Sequence, residues 1–209
     1  MPEPTFAEER LLWSRGLARV AGIDEAGRGP LAGPVVAAAI ILPVEFRSAW
    51  LSRVADSKSL TAGRRESLFE KLIAEPICYG VGVIDSHTID MVGIAKATRL
   101  AMKAAVKQLQ PAPDFLLIDY FKLPEVRLPQ KGVEDGDSLC TSIAAASIIA
   151  KVTRDRLMAD FDAQYPGYGF AEHKGYGTEA HLECLRRLGA CPIHRRSFQP
   201  VRDVSGEEP

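Results

Sequence analysis

Little in this chain points to a specialised class. The four cysteines, Cys78, Cys140, Cys184 and Cys191, form no C-x-x-C pair, which excludes a thioredoxin-like motif, suggests reduced thiols and argues against structural zinc. No apolar run approaches the ~20 residues of a membrane span, and the N-terminus lacks a signal-peptide core, so the reading is a soluble, cytoplasmic protein without a membrane partner. Aromatics are 7% of the residues and the formal net charge is −1, so bulk charge does not draw the chain to nucleic acid. That total hides an uneven distribution. Residues 151–202 hold nine Lys/Arg against six Asp/Glu, a net of +3, which the three acids of residues 203–209 cancel. There is no internal repeat and no linker. With 209 residues, 46% of them hydrophobic, one large domain or a domain with a small appendage is expected.

The informative stretch is Asp24-Glu25-Ala26-Gly27-Arg28-Gly29. Val20–Ile23 reads as a short buried strand, and ionised carboxylates just beyond it are costly unless a cation compensates them. Neighbours on a strand point to opposite faces, so the pair shares one ion only if the strand ends or bends there. Gly27 and Gly29 permit a bend and let backbone N–H groups approach an anion, with the Arg28 fork nearby. Phosphoryl transfer assisted by divalent metal needs a cation site beside an anion site. Taken alone, the hexapeptide fits a solvated loop or a helix cap equally well. A dinucleotide loop fits worse, because the glycines fall at 27, 29 and 33, and no Walker lysine follows.

Further carboxylates sit at similar places. Phe115–Ile118 reads as a buried strand ending in Asp119, either a functional group past a strand end or the start of a turn. Asp137 follows the acidic run Glu134-Asp135-Gly136, and Ser138 is expected to open a long helix, Ser142–Gln164, so Asp137 is either a site residue or an ordinary cap. Small residues at Ala144–Ser147 allow that helix to approach the sheet closely. Strands are also expected at Val35–Leu42 and Ile77–Ile84, helices at Thr61–Ala74, at Ile89–Leu109 and from Thr178 to Leu188, and 191–209 is expected to be a mobile tail. The glycine-aromatic segment around Tyr168, His173, Lys174 and Tyr176 either presents rings for stacking on nucleotides or packs them in the core. Arg186-Arg187 and Arg195-Arg196 are either phosphate contacts or solvated helix ends.

Together, Asp24, Glu25, Asp119 and Asp137 are an oxygen-rich set suited to Mg²⁺ or Mn²⁺ in a two-metal hydrolytic site. The order of the motifs resembles the type 2 ribonuclease H family. The matching residues are Asp24–Gly29, Asp56-Ser57-Lys58, Leu117-Ile118-Asp119, Gly136-Asp137 with Ser142–Ile148, Lys151–Asp155 and His173–Thr178, spread over about residues 18–190.

That resemblance implies an α/β ribonuclease H-like fold, a mixed five-stranded sheet flanked by helices, with a helical C-terminal extension. It implies three segments: an N-terminal stretch 1–17, a catalytic domain 18–190 and the tail 191–209. It also implies an endonuclease that cleaves the RNA strand of RNA–DNA hybrids and nicks duplex DNA 5′ to embedded ribonucleotides, using two Mg²⁺ or Mn²⁺ ions. In that reading Asp24, Glu25, Asp119 and Asp137 bind metal, Gly27, Arg28 and Gly29 sense the ribose 2′-OH, and Tyr176 stacks on the neighbouring sugar. Lys58, Lys151, Lys174 and Arg154 would contact phosphates. The chain departs from the pattern at Glu134-Asp135, Cys140 and Tyr120 without losing a carboxylate. A ribonuclease HIII-like enzyme is disfavoured because only about twenty residues precede the first strand, and a non-catalytic hybrid binder because it gains nothing from four acids facing a phosphate backbone. A monomer is favoured, and a replication-clamp contact is left open.

Overall fold

The computed structural model describes residues 4–54 and 60–205. In chain order the elements are α1 (Ala7–Trp13), β1 (Val20–Ala26), β2 (Val35–Ile41), α2 (Ala62–Ala74), β3 (Cys78–Ile84), α3 (Ser86–Val92), α4 (Ile94–Lys107), β4 (Phe115–Asp119), β5 (Gln130–Val133), α5 (Gly136–Leu139), α6 (Thr141–Gln164), α7 (Phe170–His173), α8 (Glu179–Leu188) and α9 (Gln199–Ser205). The five strands form one mixed sheet in the order β3-β2-β1-β4-β5. β1, β2 and β3 pair antiparallel, whereas β4 runs parallel to β1 and to β5.

Helices cover both faces, and the period of two along each strand decides which side chain serves which layer. Ala38 and Ile40 of β2 pack toward α2 and α6, while Ala37, Ala39 and Ile41 pack toward α3 and α4. Each large side chain fully buried here, such as Ile23, Ile40 or Leu116, contributes roughly 1.5–3 kcal/mol of transfer free energy. Gly22 shows how close α6 lies: a Cβ there would collide with the backbone of Ser142. The small residues at the start of α6 therefore do what their sequence suggests.

Four boundaries differ from expectation. β1 does not end at Ile23 but carries both acids within it, pairing Asp24 with Ala38 and Glu25 with Ala37. The helix expected over Ile89–Leu109 is two helices broken at Gly93, where φ is 79°. Asp137 belongs to the short α5, and Cys140, in extended conformation, separates it from α6. The segment expected to be a mobile tail is docked through Ser205: Ile193, His194 and Val201 are buried, and Arg195 is fully so. The reason is a backbone bridge from Ala32 to His194, flanked by Gly33 N–H to the Ile193 carbonyl and Arg195 N–H to the Leu31 carbonyl, both 2.8 Å. Among the described residues, no helix is long and apolar enough to cross a membrane. All four cysteines are free thiols, and burial pushes that of Cys140 up to about 12.

Candidate active site

The site opens where two parallel strands part. β1 and β4 stay paired as far as Ile23 and Ile118, and the next residues, Asp24 and Asp119, flank the gap beyond. Crevices of this kind, past the carboxyl ends of neighbouring strands, are where open α/β sheets bind ligands. A cleft of about 290 Å³ results, with Asp24, Glu25 and Asp119 on its wall alongside Gly27, Arg28, Gly29, Ser147, Lys151 and Tyr176. The acids and the glycine-arginine-glycine turn thus share one cavity.

Asp24 is buried, and its pKa lies well above the usual carboxylate value. Burial is the main cause and the nearby charges of Glu25 and Asp119 add to it, opposed by hydrogen bonds from the Ser147 side chain and the Glu25 N–H, the latter 2.7 Å. One Asp119 oxygen accepts the Gly136 N–H at 2.7 Å, which holds the segment leading to Asp137 against the end of β4. Asp137 is buried on α5 but does not line the cleft. Among the described residues, no three His, Cys, Asp or Glu side chains close into a ready-made ligand set. The donors still fit a hard divalent cation, since they are carboxylates pressed together against mutual repulsion at the mouth of an open cleft.

The turn is built by two buried arginines. Gly27 has φ of 93°, and a Cβ there would strike the Arg154 side chain, so glycine is required on both counts. Arg154 donates from Nε to the Pro34 carbonyl at 3.0 Å and from Nη2 to the Ala32 carbonyl at 3.1 Å. Arg195 donates to three more carbonyls: Nε to Gly33 at 3.0 Å, Nη1 to Arg28 at 2.9 Å and Nη2 to Gly27 at 2.5 Å. Both guanidiniums are fully buried, and desolvation pulls Arg154 down to about 10 and Arg195 to about 9. Arg154 was expected on a phosphate, and Arg195 either on a phosphate or at a solvated helix end. In the structure both are buried and donate to carbonyls of the loop 27–34, while Arg154 Nη1 has no hydrogen-bond partner among the described residues.

Lys151, expected on a phosphate, lines the cleft. Its Nζ lies in the cleft wall, 2.6 Å from Asp155 and 5.8 Å from the centre of the Tyr176 ring, and burial lowers its pKa. Tyr176 is 43% exposed, so its ring is open to a ligand. Lys174 faces a different groove, with Arg65, Asp155 and Arg156, and donates to the Ala171 carbonyl. Lys58 lies outside the described residues, as do Asp56 and Ser57. Arg28 sits 4.7 Å from the centre of the Phe121 ring and 3.5 Å from Glu25. Sequence reasoning missed the support behind Tyr176, whose carbonyl accepts from His181 Nδ1 at 2.9 Å.

The ribonuclease HII family model matches residues 21–201, which spans the whole cleft and the docked C-terminal segment as far as Val201. The chain belongs to the ribonuclease HII family. It is 57% identical over 201 residues to ribonuclease HII of Dehalococcoides mccartyi (strain ATCC BAA-2266 / KCTC 15142 / 195), covering 96% of this chain and 95% of that protein. It is 53% identical to ribonuclease HII of Geobacter metallireducens, covering 93% of each. Among solved structures, the ribonuclease H2 from Pyrococcus horikoshii OT3 superposes with a TM-score of 0.71 at 28% identity, covering 90% of this chain and 97% of that one. Bst-RNase HIII in complex with Mn²⁺ gives a TM-score of 0.72 at 19% identity over 91% of this chain and 70% of that one, which shows the shared fold. Membership carries ribonuclease H endonuclease activity, action on RNA–DNA hybrids and the metal dependence general to the family.

Proposed function

We propose that this member of the ribonuclease HII family hydrolyses the RNA strand of RNA–DNA hybrids and nicks duplex DNA 5′ to an embedded ribonucleotide, leaving 5′-phosphate and 3′-hydroxyl ends. The observation that carries the reading is the single cleft shared by Asp24, Glu25, Asp119 and the turn Gly27-Arg28-Gly29. Bond breaking and bond choice then happen side by side. Asp24, Glu25, Asp119 and Asp137 would hold two Mg²⁺ or Mn²⁺ ions. Bound there, the ions supply Lewis acidity at the attacking water and at the leaving 3′-oxygen. The residues of the chain do the rest.

The 2′-OH alone distinguishes RNA from DNA at one nucleotide, so selection needs donors and acceptors held rigidly at that hydroxyl. A backbone turn clamped by buried arginines is more rigid than a long side chain. Tyr176 offers its exposed ring to the adjoining sugar, and Lys151 beside it neutralises a phosphate. Lys174, in its separate groove, would contact the duplex further along, and Lys58 is assigned a phosphate in the same reading. Binding should weaken steeply with salt, because each phosphate contact releases counterions.

The test is a nicking assay on a DNA duplex carrying one ribonucleotide, with Mg²⁺ or Mn²⁺, beside an otherwise identical all-DNA duplex. Cleavage of the first with the second left intact is expected. Equal cleavage of the two would refute selection by the 2′-OH.

A further inference from the structure

We infer that Arg195 is a positioning residue for ribonucleotide recognition, acting by fixing the peptide planes of the turn Gly27-Arg28-Gly29. The inference rests on the reading of that turn as the 2′-OH sensor. Its evidence is separate. The Arg195 guanidinium is fully buried and donates to the carbonyls of Gly27 and Arg28, the two carbonyls that belong to the peptide units within the turn. In a trans peptide the C=O and N–H point in opposite directions. Pinning these carbonyls toward Arg195 therefore turns the N–H groups of Arg28 and Gly29 to the other side. The cleft is lined by those same residues.

Two further contacts hold the guanidinium itself. Its Nε donates to the Gly33 carbonyl, so one planar fork spans both ends of the loop 27–33. The Phe198 ring lies 5.1 Å from the guanidinium carbon. The backbone bridge between Ala32 and His194 fixes where the side chain starts. A carboxylate partner is not what keeps this charge buried. Its hydrogen-bonding acceptors are three carbonyls within residues 27–33, a loop that sits 167 residues earlier in the chain at Arg28. A lysine has the charge and three donors, but not the planar fork that reaches three fixed carbonyls.

The experiment measures equilibrium binding without divalent metal of two duplexes, one with a single ribonucleotide and one all-DNA. The variants are Arg195→Lys and Phe198→Leu, each checked by thermal melting. The wild-type chain should prefer the ribonucleotide duplex by roughly tenfold, the size of one or two net hydrogen bonds. Arg195→Lys should bring that ratio to within about twofold of unity while affinity for the all-DNA duplex stays within about twofold of wild type. A merely structural role would lower both affinities together and leave the ratio alone. Phe198→Leu, which keeps the charge and loosens its seat, should lower the ratio at least about twofold, and it decides the matter if Arg195→Lys does not fold. A wild-type ratio retained in the folded variants would overturn the role of Arg195 alone. A ratio of one in the wild-type chain would overturn the 2′-OH reading and this inference with it.

Discussion

Glu9 on α1 caps the long helix α6: one carboxylate oxygen accepts the Ser142 N–H at 2.9 Å and the Ser142 hydroxyl at 2.6 Å. The residue is buried, burial raises its pKa against the lowering effect of those two bonds, and its other oxygen has no hydrogen-bond partner among the described residues. Glu9→Ala should cost about 1–3 kcal/mol, because it strands a buried backbone N–H at a helix start. Glu9→Gln keeps the acceptor and should stay within about 1 kcal/mol of wild type. Chemical denaturation of the two variants checks this order.

The carboxylate cluster is a stability cost without its cation. Asp24 carries a raised pKa from burial and from two like charges, so its ionised form opposes folding at neutral pH. Asp24→Asn can still accept the Glu25 N–H. Without metal it should raise stability, read as a higher melting temperature than that of the metal-free wild type. Added Mn²⁺ should raise the melting temperature of the wild type and much less that of the variant. Equal metal shifts would remove Asp24 from the ligand set.

Two buried histidines, His181 and His194, lie behind Tyr176. The hydrogen bonds close when His194 Nδ1 accepts the Cys191 N–H at 3.0 Å, its Nε2–H donates to His181 Nε2 at 3.1 Å, and His181 Nδ1–H donates to the Tyr176 carbonyl. Both histidines are then neutral. Burial first, and His181 next, pull His194 down to about 4. A histidine with a lowered folded pKa stabilises the fold fully above its unfolded value of 6.5, and that contribution is lost as pH falls from there toward 4. The loss amounts to roughly 3 kcal/mol at most. Melting curves from pH 7 to 4 should fall accordingly, and His194→Gln should flatten the slope.

Gly27→Ala tests the turn from the other side. The new Cβ meets positive φ and the Arg154 side chain together, so a loss of about 2 kcal/mol or more is expected. Hybrid cleavage should fall further than the melting temperature alone explains. A fully active variant would show that the turn tolerates displacement.

Sequence made the strands, α6 and the strand-end acids legible because their signals are local: apolar runs that stop at Asp24 and Asp119, and small residues facing a sheet. What it hid is long-range. Arg154 and Arg195 look like surface charges until the loop 27–34 is seen to present five carbonyls to them. The same loop explains why the segment after Cys191 is docked. The break at Gly93 was masked because Ile89 and Ala97 bury on the same core, so the apolar face continues across it. Glu9 gave no signal at all, since its partner lies 133 residues away.

The most direct measurement is single-turnover cleavage of a one-ribonucleotide duplex by saturating Asp119→Asn. The substitution keeps an oxygen for the Gly136 N–H while removing the charge and turning the other oxygen into an NH2 donor. The account predicts that the variant binds the duplex with near wild-type affinity and cleaves it more than about a hundredfold more slowly, beyond the 10–100-fold typical of losing an outer-shell partner. A wild-type rate would contradict it.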